Sequence, residues 1–340
     1  MQLKKIKIGQ WAKKQKKNTI LLSTQSLLRR NLQNFPFRSK ITDIQEKKIL
    51  SDFQSFYSSH PKLKKGIFTL ISDLSKDEQT FLIEEKYLIP KIDQYPNAAV
   101  LILPQLCSSI LINTEEHFII SANDIDIERS YSVAENLENI LSEYFDIAYS
   151  PKLGFLTSKA NFLSNGMEII STLHLPAIHR ADQIHKLRKD LKNNLYNFKD
   201  YYSILETDYY SLSNMGRKFF LNPEPEVINL YNMDLKKIIK QELGAKKKLI
   251  EKLFNLVEDE ISRIYGILQY AKFLEFNETL HHIGSLLFGI DLKIINIDEK
   301  KLKSLFMLIH PGHIRILDES IKTQTDEDVF RAHLVQKELF

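Results

Sequence analysis

Glycine is scarce in this chain. Ten residues in 340 are glycine, about 3% against a usual ~7%. Loops that cradle phosphates need it, because only a missing Cβ lets backbone N–H groups come close to the anion. Neither GxGxxG nor GxxxxGKS/T occurs, which excludes the common nucleotide-binding fingerprints. Cysteine is scarcer still. Cys107 stands alone, so no internal disulfide can form and a reducing compartment suits the chain. No apolar stretch approaches the ~18 residues of a membrane span. The lysine-rich start, "MQLKKIKIGQWAKKQKKNT", lacks the apolar core and cleavage site of a signal peptide. These absences predict a cytoplasmic protein.

What is present is the composition of a soluble globular protein, long enough for one or two domains. The net charge is only +4, yet seven lysines fall within the first 17 residues. Residues 1–18 read as a solvated basic arm. The lysines have no interleaved aromatics and no nucleic-acid module follows, so nucleic acid is not an expected partner.

Apolar, β-prone text at 18–28, 66–74 and 98–104 predicts strands, and 108–122 predicts a hairpin with a polar turn at Asn113 to Glu116. Residues 132–147 predict a helix, with a possible Ser132/Glu135 capping box and a face of Leu137, Ile140, Leu141 and Tyr144. A second helix is expected at 181–198, on a stripe of Ile184, Leu187, Leu191 and Leu195. Strand-like text becomes rare beyond residue 222, where "NPEPE" (222–226) is a candidate linker. Helices are expected near 232–272, 278–288, 299–309 and 325–340. The layout is α+β. An antiparallel sheet flanked by helices (1–225) comes first, and a helical C-terminal domain (226–340) follows.

"INTEEHFII" (112–120) sets two carboxylates beside a histidine. It can be an ordinary surface turn or part of a site. Seven further stretches are "ILLSTQSLLRRN" (20–31), "EEKYLIP" (84–90), "LGFLTSKANF" (153–162), "TLHLPAI" (172–178), "IYGIL" (264–268), "FGIDLKII" (288–295) and "HPGHI" (310–314). In this order they resemble the bacterial protein-arginine kinase (McsB-like) family, relatives of creatine and arginine kinases. The resemblance implies a guanidino-kinase catalytic fold and transfer of the γ-phosphate of Mg-ATP to a guanidinium nitrogen. A guanidinium is a poor nucleophile, so a carboxylate must orient it and take its proton. The phosphate charge is met by a ring of arginines and Mg²⁺.

Residue by residue, the resemblance is uneven. The family's Asn-Glu-Glu-Asp-His motif is Asn113-Thr114-Glu115-Glu116-His117. Glu115 takes the place of the glutamate that acts on the guanidinium, with Glu116 beside it and His117 expected near the nucleotide. The family's second carboxylate has no clear counterpart; Glu206, in a stretch without glycine, is the nearest candidate. The first phosphate motif, Ser-Ser-Arg-x-Arg-x-x-Arg-Asn, reads here from Ser23 to Asn31. Its leading arginines are Gln25 and Leu27, while Arg30 and Asn31 remain and Arg29 lies between. Ile119 and Glu168 stand where two more arginines are expected, and a fifth falls near Tyr196. Lys159 replaces a reactive cysteine. One arginine on a transferring phosphoryl group can be worth about 10³–10⁵ in rate. The expectation is a pseudokinase, weak or inactive toward ATP. It would act through protein partners: a zinc-finger activator, a Clp-type protease chaperone or arginine-bearing clients. The alternative is an active protein-arginine kinase with a phosphate site rebuilt from Lys159, Arg29, Arg30 and Lys199.

Near the end, the family's Arg-Asp-x-x-Arg-Ala segment, implied to bind phosphoarginine, reads Glu327-Asp328-Val329-Phe330-Arg331-Ala332. Asp328 and Arg331 are retained but the leading arginine is a glutamate, so a plain terminal helix is the competing reading. The resemblance also implies a homodimer. No metal site is expected. His281 and His282 diverge by about 100° on a helix, and His310 and His313 flank Pro311-Gly312 as a helix-ending turn. The aromatic text at 196–211 reads as a partly buried strand pair or a binding face.

Overall fold

β1 (Leu21–Arg30) is buried along almost its whole length, with only Gln25 half-exposed. A strand buried on both faces belongs in the middle of a sheet, and β1 lies between β5 (Phe118–Asp124) and β8 (Met167–His174). The computed structural model describes Ile6 and residues 19–201, 207–215, 219 and 222–340. The lysine arm and Glu206 therefore lie outside the described residues, apart from Ile6 in the arm.

The chain divides into two compact units, one of 1–11, 24–170 and 213–231, the other of 12–23, 171–212 and 232–340. They interleave along the sequence, and no break falls at 225/226. The first unit holds α1 (Asp43–Ser59), β2 (Ile67–Leu70), α2 (Lys76–Glu84), β3 (Ala99–Leu103), β4 (Ser108–Ile112), β5, α3 (Ile127–Ser142), and the short pair β6 (Tyr149–Ser150) and β7 (Gly154–Phe155). Its strands run in the order β2-β3-β4-β5-β1-β8, and the β2-β3, β3-β4, β4-β5 and β1-β5 pairs are antiparallel. Phe53 of α1 packs on Phe118 of β5 and on Phe145, at centroid distances of 5.7 and 6.4 Å.

The second unit holds α4 (Pro176–Arg180), α5 (Ile184–Asn193), β9 (Asn197–Asp200), most of β10 (Tyr209–Ser213) and most of α6 (Glu224–Tyr270). After these come α7 (Phe276–Asp291), α8 (Glu299–Leu308), α9 (Pro311–Leu317) and α10 (Gln324–Leu339). Its strand order is β8-β10-β9. Tyr209, Phe306, Phe276 and His310 pack against one another there in tilted and edge-on contacts. No helix among the described residues is long and apolar enough to cross a membrane.

Several local expectations need correction. Asp126 caps α3, accepting from the N–H groups of Glu128 and Arg129, so the Ser132/Glu135 pair lies inside the helix. Tyr144 lies beyond that helix and is exposed, as is Leu195, which has left α5 with φ +62°. "NPEPE" is no linker: Pro223 precedes α6 and Pro225 falls in its first turn, where a missing N–H costs nothing. A non-helical residue, Leu253 (φ −134°, ψ 19°), interrupts α6. Pro311 opens a helix, α9, where only a turn was expected. Both flanking histidines are buried.

Candidate functional site

The carboxylate turn joins β4 to β5. Asn113 adopts φ +56°, a left-handed conformation that asparagine tolerates, and its N–H donates to the His117 carbonyl at 3.0 Å. The two glutamates then diverge. Glu116 is buried, accepting from the Ser158 N–H at 3.1 and 2.9 Å and from the Asn31 side chain. Glu115 stays half-exposed and faces Lys159, with Nζ 2.6 Å from Oε1. Glu115 is the carboxylate available to a visiting cation, whereas Glu116 anchors the turn.

His117 is anchored on both sides of its ring. Nδ1 accepts from the Leu32 N–H at 2.9 Å, and Nε2 lies 3.1 Å from the Pro36 carbonyl, so Nε2 carries the proton. Burial pushes its pKa down to about 4 from 6.5, with Arg38 acting in the same direction. A folded-state pKa below the unfolded one contributes stability above pH 6.5 that is lost as pH falls toward 4. Between pH 7.5 and 5, His117 should therefore lose about 2 kcal/mol of its contribution. The stability gap between wild type and His117→Gln in urea should shrink by that amount. A gap independent of pH would refute the buried neutral imidazole.

The positions expected to carry phosphate arginines converge on β1. The β1–β5 register sets Leu27 opposite Ser121 and Arg29 opposite Ile119. Leu27 and Ile119 are buried apolar side chains. Gln25 donates to Ser121 Oγ at 2.7 Å and to the Lys86 carbonyl at 3.1 Å. Glu168, from β8, accepts from Arg29 Nη2 at 2.6 Å through one oxygen and from the Ser213 hydroxyl at 2.7 Å through the other. Phe162 covers the Arg29 guanidinium at 3.8 Å. Glycine is required at one place here. Gly166 has φ +62°, and a Cβ on it would stand 2.5 Å from Arg30 Nη1 and 2.6 Å from the Arg29 carbonyl. That close approach brings Glu168 alongside β1.

Arg30 is fully buried, held by Glu138, by Glu224 at 2.7 Å and by the Asn165 carbonyl at 3.0 Å, under the Phe155 ring at 3.6 Å. Asn31 binds Glu116 through Nδ2 and receives the His117 N–H on Oδ1 at 3.0 Å, which ties β1 to the turn. Ser23 belongs to the second unit, where its hydroxyl donates to Thr172 at 3.1 Å. Lys199 is exposed on β9.

The second unit repeats the pattern near its C-terminus. Arg331 is fully buried, bound to the Ile309 and Leu274 carbonyls at 2.9 and 2.8 Å and to Asp328 at 2.6 Å. Glu327 is buried between Arg315 Nε at 2.7 Å and Arg331 Nη2 at 3.5 Å. The retained pair is thus knitted into the core of a terminal helix.

Comparison with known proteins decides the family. The model for the ATP:guanido phosphotransferase C-terminal catalytic domain matches residues 46–245. The chain belongs to the ATP:guanido phosphotransferase family. The model for the C-terminal domain of protein-arginine kinase McsB matches 255–340. The two matches part at the break in α6. Protein-arginine kinases of Halothermothrix orenii and Clostridium tetani are 26% and 28% identical, each over 94% of this chain and over 93% and 95% of their own lengths. In fold, the chain is similar to lombricine kinase, with TM-score 0.56 and 16% identity over 72% of this chain and 71% of that one. A duplicated taurocyamine kinase of Schistosoma mansoni gives TM-score 0.56 and 17% identity over 71% of this chain, which spans 34% of that protein.

Members of this family imply ATP and Mg²⁺, and the residues present can be tested against a triphosphate. Leu27 and Ile119 offer it no charge. Glu168 opposes it, and the cation nearest to hand, Arg29, is spent on Glu168. The donor set around β1 does not fit a triphosphate. Among the described residues no cluster of His, Cys, Asp and Glu could hold a metal ion.

Sequence reasoning missed the partners of these groups. Nothing in "NPEPE" marks Glu224 as the counter-ion of an arginine 194 residues away. Ser213, Glu138 and Arg315 were equally silent. The retained Asn31 did carry a signal, since it closes the phosphate motif of the family.

Proposed function

We propose that this protein is a non-catalytic member of its family that holds the guanidinium of a protein partner at Glu115 without phosphorylating it. One observation carries the reading: the buried Arg29–Glu168 pair, with Leu27 and Ile119 beside it, stands where a phosphate-binding arginine ring is expected. The partners that fit are those the resemblance implies: a zinc-finger activator, a Clp-type protease chaperone or arginine-bearing clients. A homodimer and a cytoplasmic location fit the same reading.

Glu115 already faces a cation, so a visiting arginine must displace Lys159. A planar guanidinium with two parallel N–H donors does this better than an ammonium, because it matches the carboxylate bidentately. Lys159→Ala is expected to strengthen binding of an arginine-containing peptide by roughly two- to fivefold, on the scale of one partly exposed ion pair. Glu115→Gln should weaken binding by a similar factor in fluorescence anisotropy. Opposite signs would mean that Lys159, not Glu115, contacts the peptide.

The second reading is an active kinase with rebuilt cations, favoured by the retained Glu115 and by Lys159 beside it. Calorimetric titration with Mg-ATP separates the two. Absence of heat at millimolar nucleotide supports the first reading. Micromolar affinity, or phosphorylation of arginine by the pure protein, supports the second.

A further inference from the structure

A second concentration of positive charge, besides the N-terminal lysines, lies away from the carboxylate turn. Residues 184–193 and 236–252 together carry eleven lysines and arginines against three acidic residues, a formal excess of eight, while the whole chain carries only +4. Both segments are helical, the first being α5 and the second the middle of α6. Both belong to the second unit.

One lysine from each segment, Lys186 and Lys248, lines a groove of about 320 Å³. Gly244 and Ala245 are part of its lining, and a Cβ on Gly244 would meet no heavy atom within 4 Å. Lys186 stands on one wall and Lys248 on the other, with the Gln183 and Gln241 amides beside them. On α6 the same face continues to Lys237 and Lys252, at helical spacings from Gln241 and Lys248. From Lys237 to Lys252 the stripe runs about 22 Å at 1.5 Å per residue. Lys237 is paired with Asp234 and Arg188 with Asp200, whereas Lys186 and Lys248 have no ion-pair partner among the described residues. Asp190 is the one carboxylate in the groove.

We infer that this groove docks an acidic segment of another protein, its carboxylates meeting Lys186 and Lys248 and its backbone amides meeting Gln183 and Gln241. Charge complementarity selects an anion, and the lining selects its class. Sequence-tolerant nucleic-acid grooves add aromatic side chains on which bases stack, and phosphate recognition favours the planar fork of arginine. The groove lining contains neither, and offers instead small residues, amides and flexible ammonium groups. Glycine and alanine in the lining leave room for an extended chain to come close to α6. The inference is independent of any role for Glu115.

The test uses the full chain and a fluorescein-labelled peptide of ten glutamates, in anisotropy titrations at 50 and 200 mM salt. Lys186→Glu with Lys248→Glu should weaken binding at least tenfold. An equal charge reversal at the exposed pair Lys64 and Lys65, in the first unit, should change it less than twofold. Asp190→Asn, which removes the opposing carboxylate without disturbing a core, should strengthen binding two- to threefold. All variants share the N-terminal lysines, so those cannot produce the difference. Equal losses in the two reversals would overturn the inference, as would no binding at 50 mM salt. A single-stranded oligothymidine that binds more tightly than the peptide and loses affinity in the groove variant would overturn it in favour of nucleic acid.

Discussion

Glu168→Arg, which puts a family-type arginine back on β8, is expected to destabilise the protein by about 3–5 kcal/mol rather than repair it. Arg29 and Glu168 are both buried, with Nη2 and Oε2 2.6 Å apart. Removing the carboxylate leaves a desolvated guanidinium with no counter-ion, and a second guanidinium beside it adds repulsion. The Ser213 hydroxyl loses its acceptor as well. Among the described residues Nε and Nη1 of Arg29 have no hydrogen-bond partner that could take over the charge. Urea unfolding monitored by circular dichroism measures the loss. Arg29→Ala added to Glu168→Arg should recover more than half of it, because the like charge is gone. Arg29→Met with Glu168→Leu should lie within about 1–2 kcal/mol of wild type, since a buried pair replaced by apolar groups of similar volume is often neutral. If Glu168→Arg alone stays within 1 kcal/mol, the pair does not hold β8 against β1.

Glu327→Arg is the counterpart in the second unit and should be at least as costly, about 4 kcal/mol or more. It would set three arginines together, with the buried Arg331 and Arg315 on either side. Asp328 is already engaged by Arg331. The C-terminal helices α9 and α10 should loosen first, seen as faster amide exchange there than in β3 to β5. Adding Arg315→Ala should restore part of the protection. Unchanged exchange in α9 and α10 would show that Glu327 is dispensable to their packing.

Both predictions invert the expectation drawn from resemblance alone. In each unit a position that the family gives to arginine has become a glutamate, and in each a nearby arginine binds that glutamate. The change at Glu168 looked like simple loss when the sequence was compared with a motif. In the fold it is a substitution of partners. Three of the cations named for the rebuilt-site alternative have such partners too: Arg29 and Arg30 are bound to Glu168, Glu138 and Glu224, and Lys159 to Glu115.

Much was legible in the linear text, because it depends on neighbours in sequence. Alternation and apolar runs located β3, β4 and β5, and 3.6-residue periodicity located α8 and α10 within one residue and α7 within three. The ordered motifs identified the family, and "INTEEH" was placed correctly in a tight turn. The errors were also local. Asp126 outcompeted Ser132 as a cap, and Pro225 was read as a break where it sits harmlessly in a first turn. What only the tertiary structure decided is which charge meets which. Asn31 finds Glu116 across 85 residues, Arg29 finds Glu168 across 139 and Arg30 finds Glu224 across 194. A buried charge is tolerated only with a partner in contact, and nothing local in the chain names a partner that folding brings from so far away.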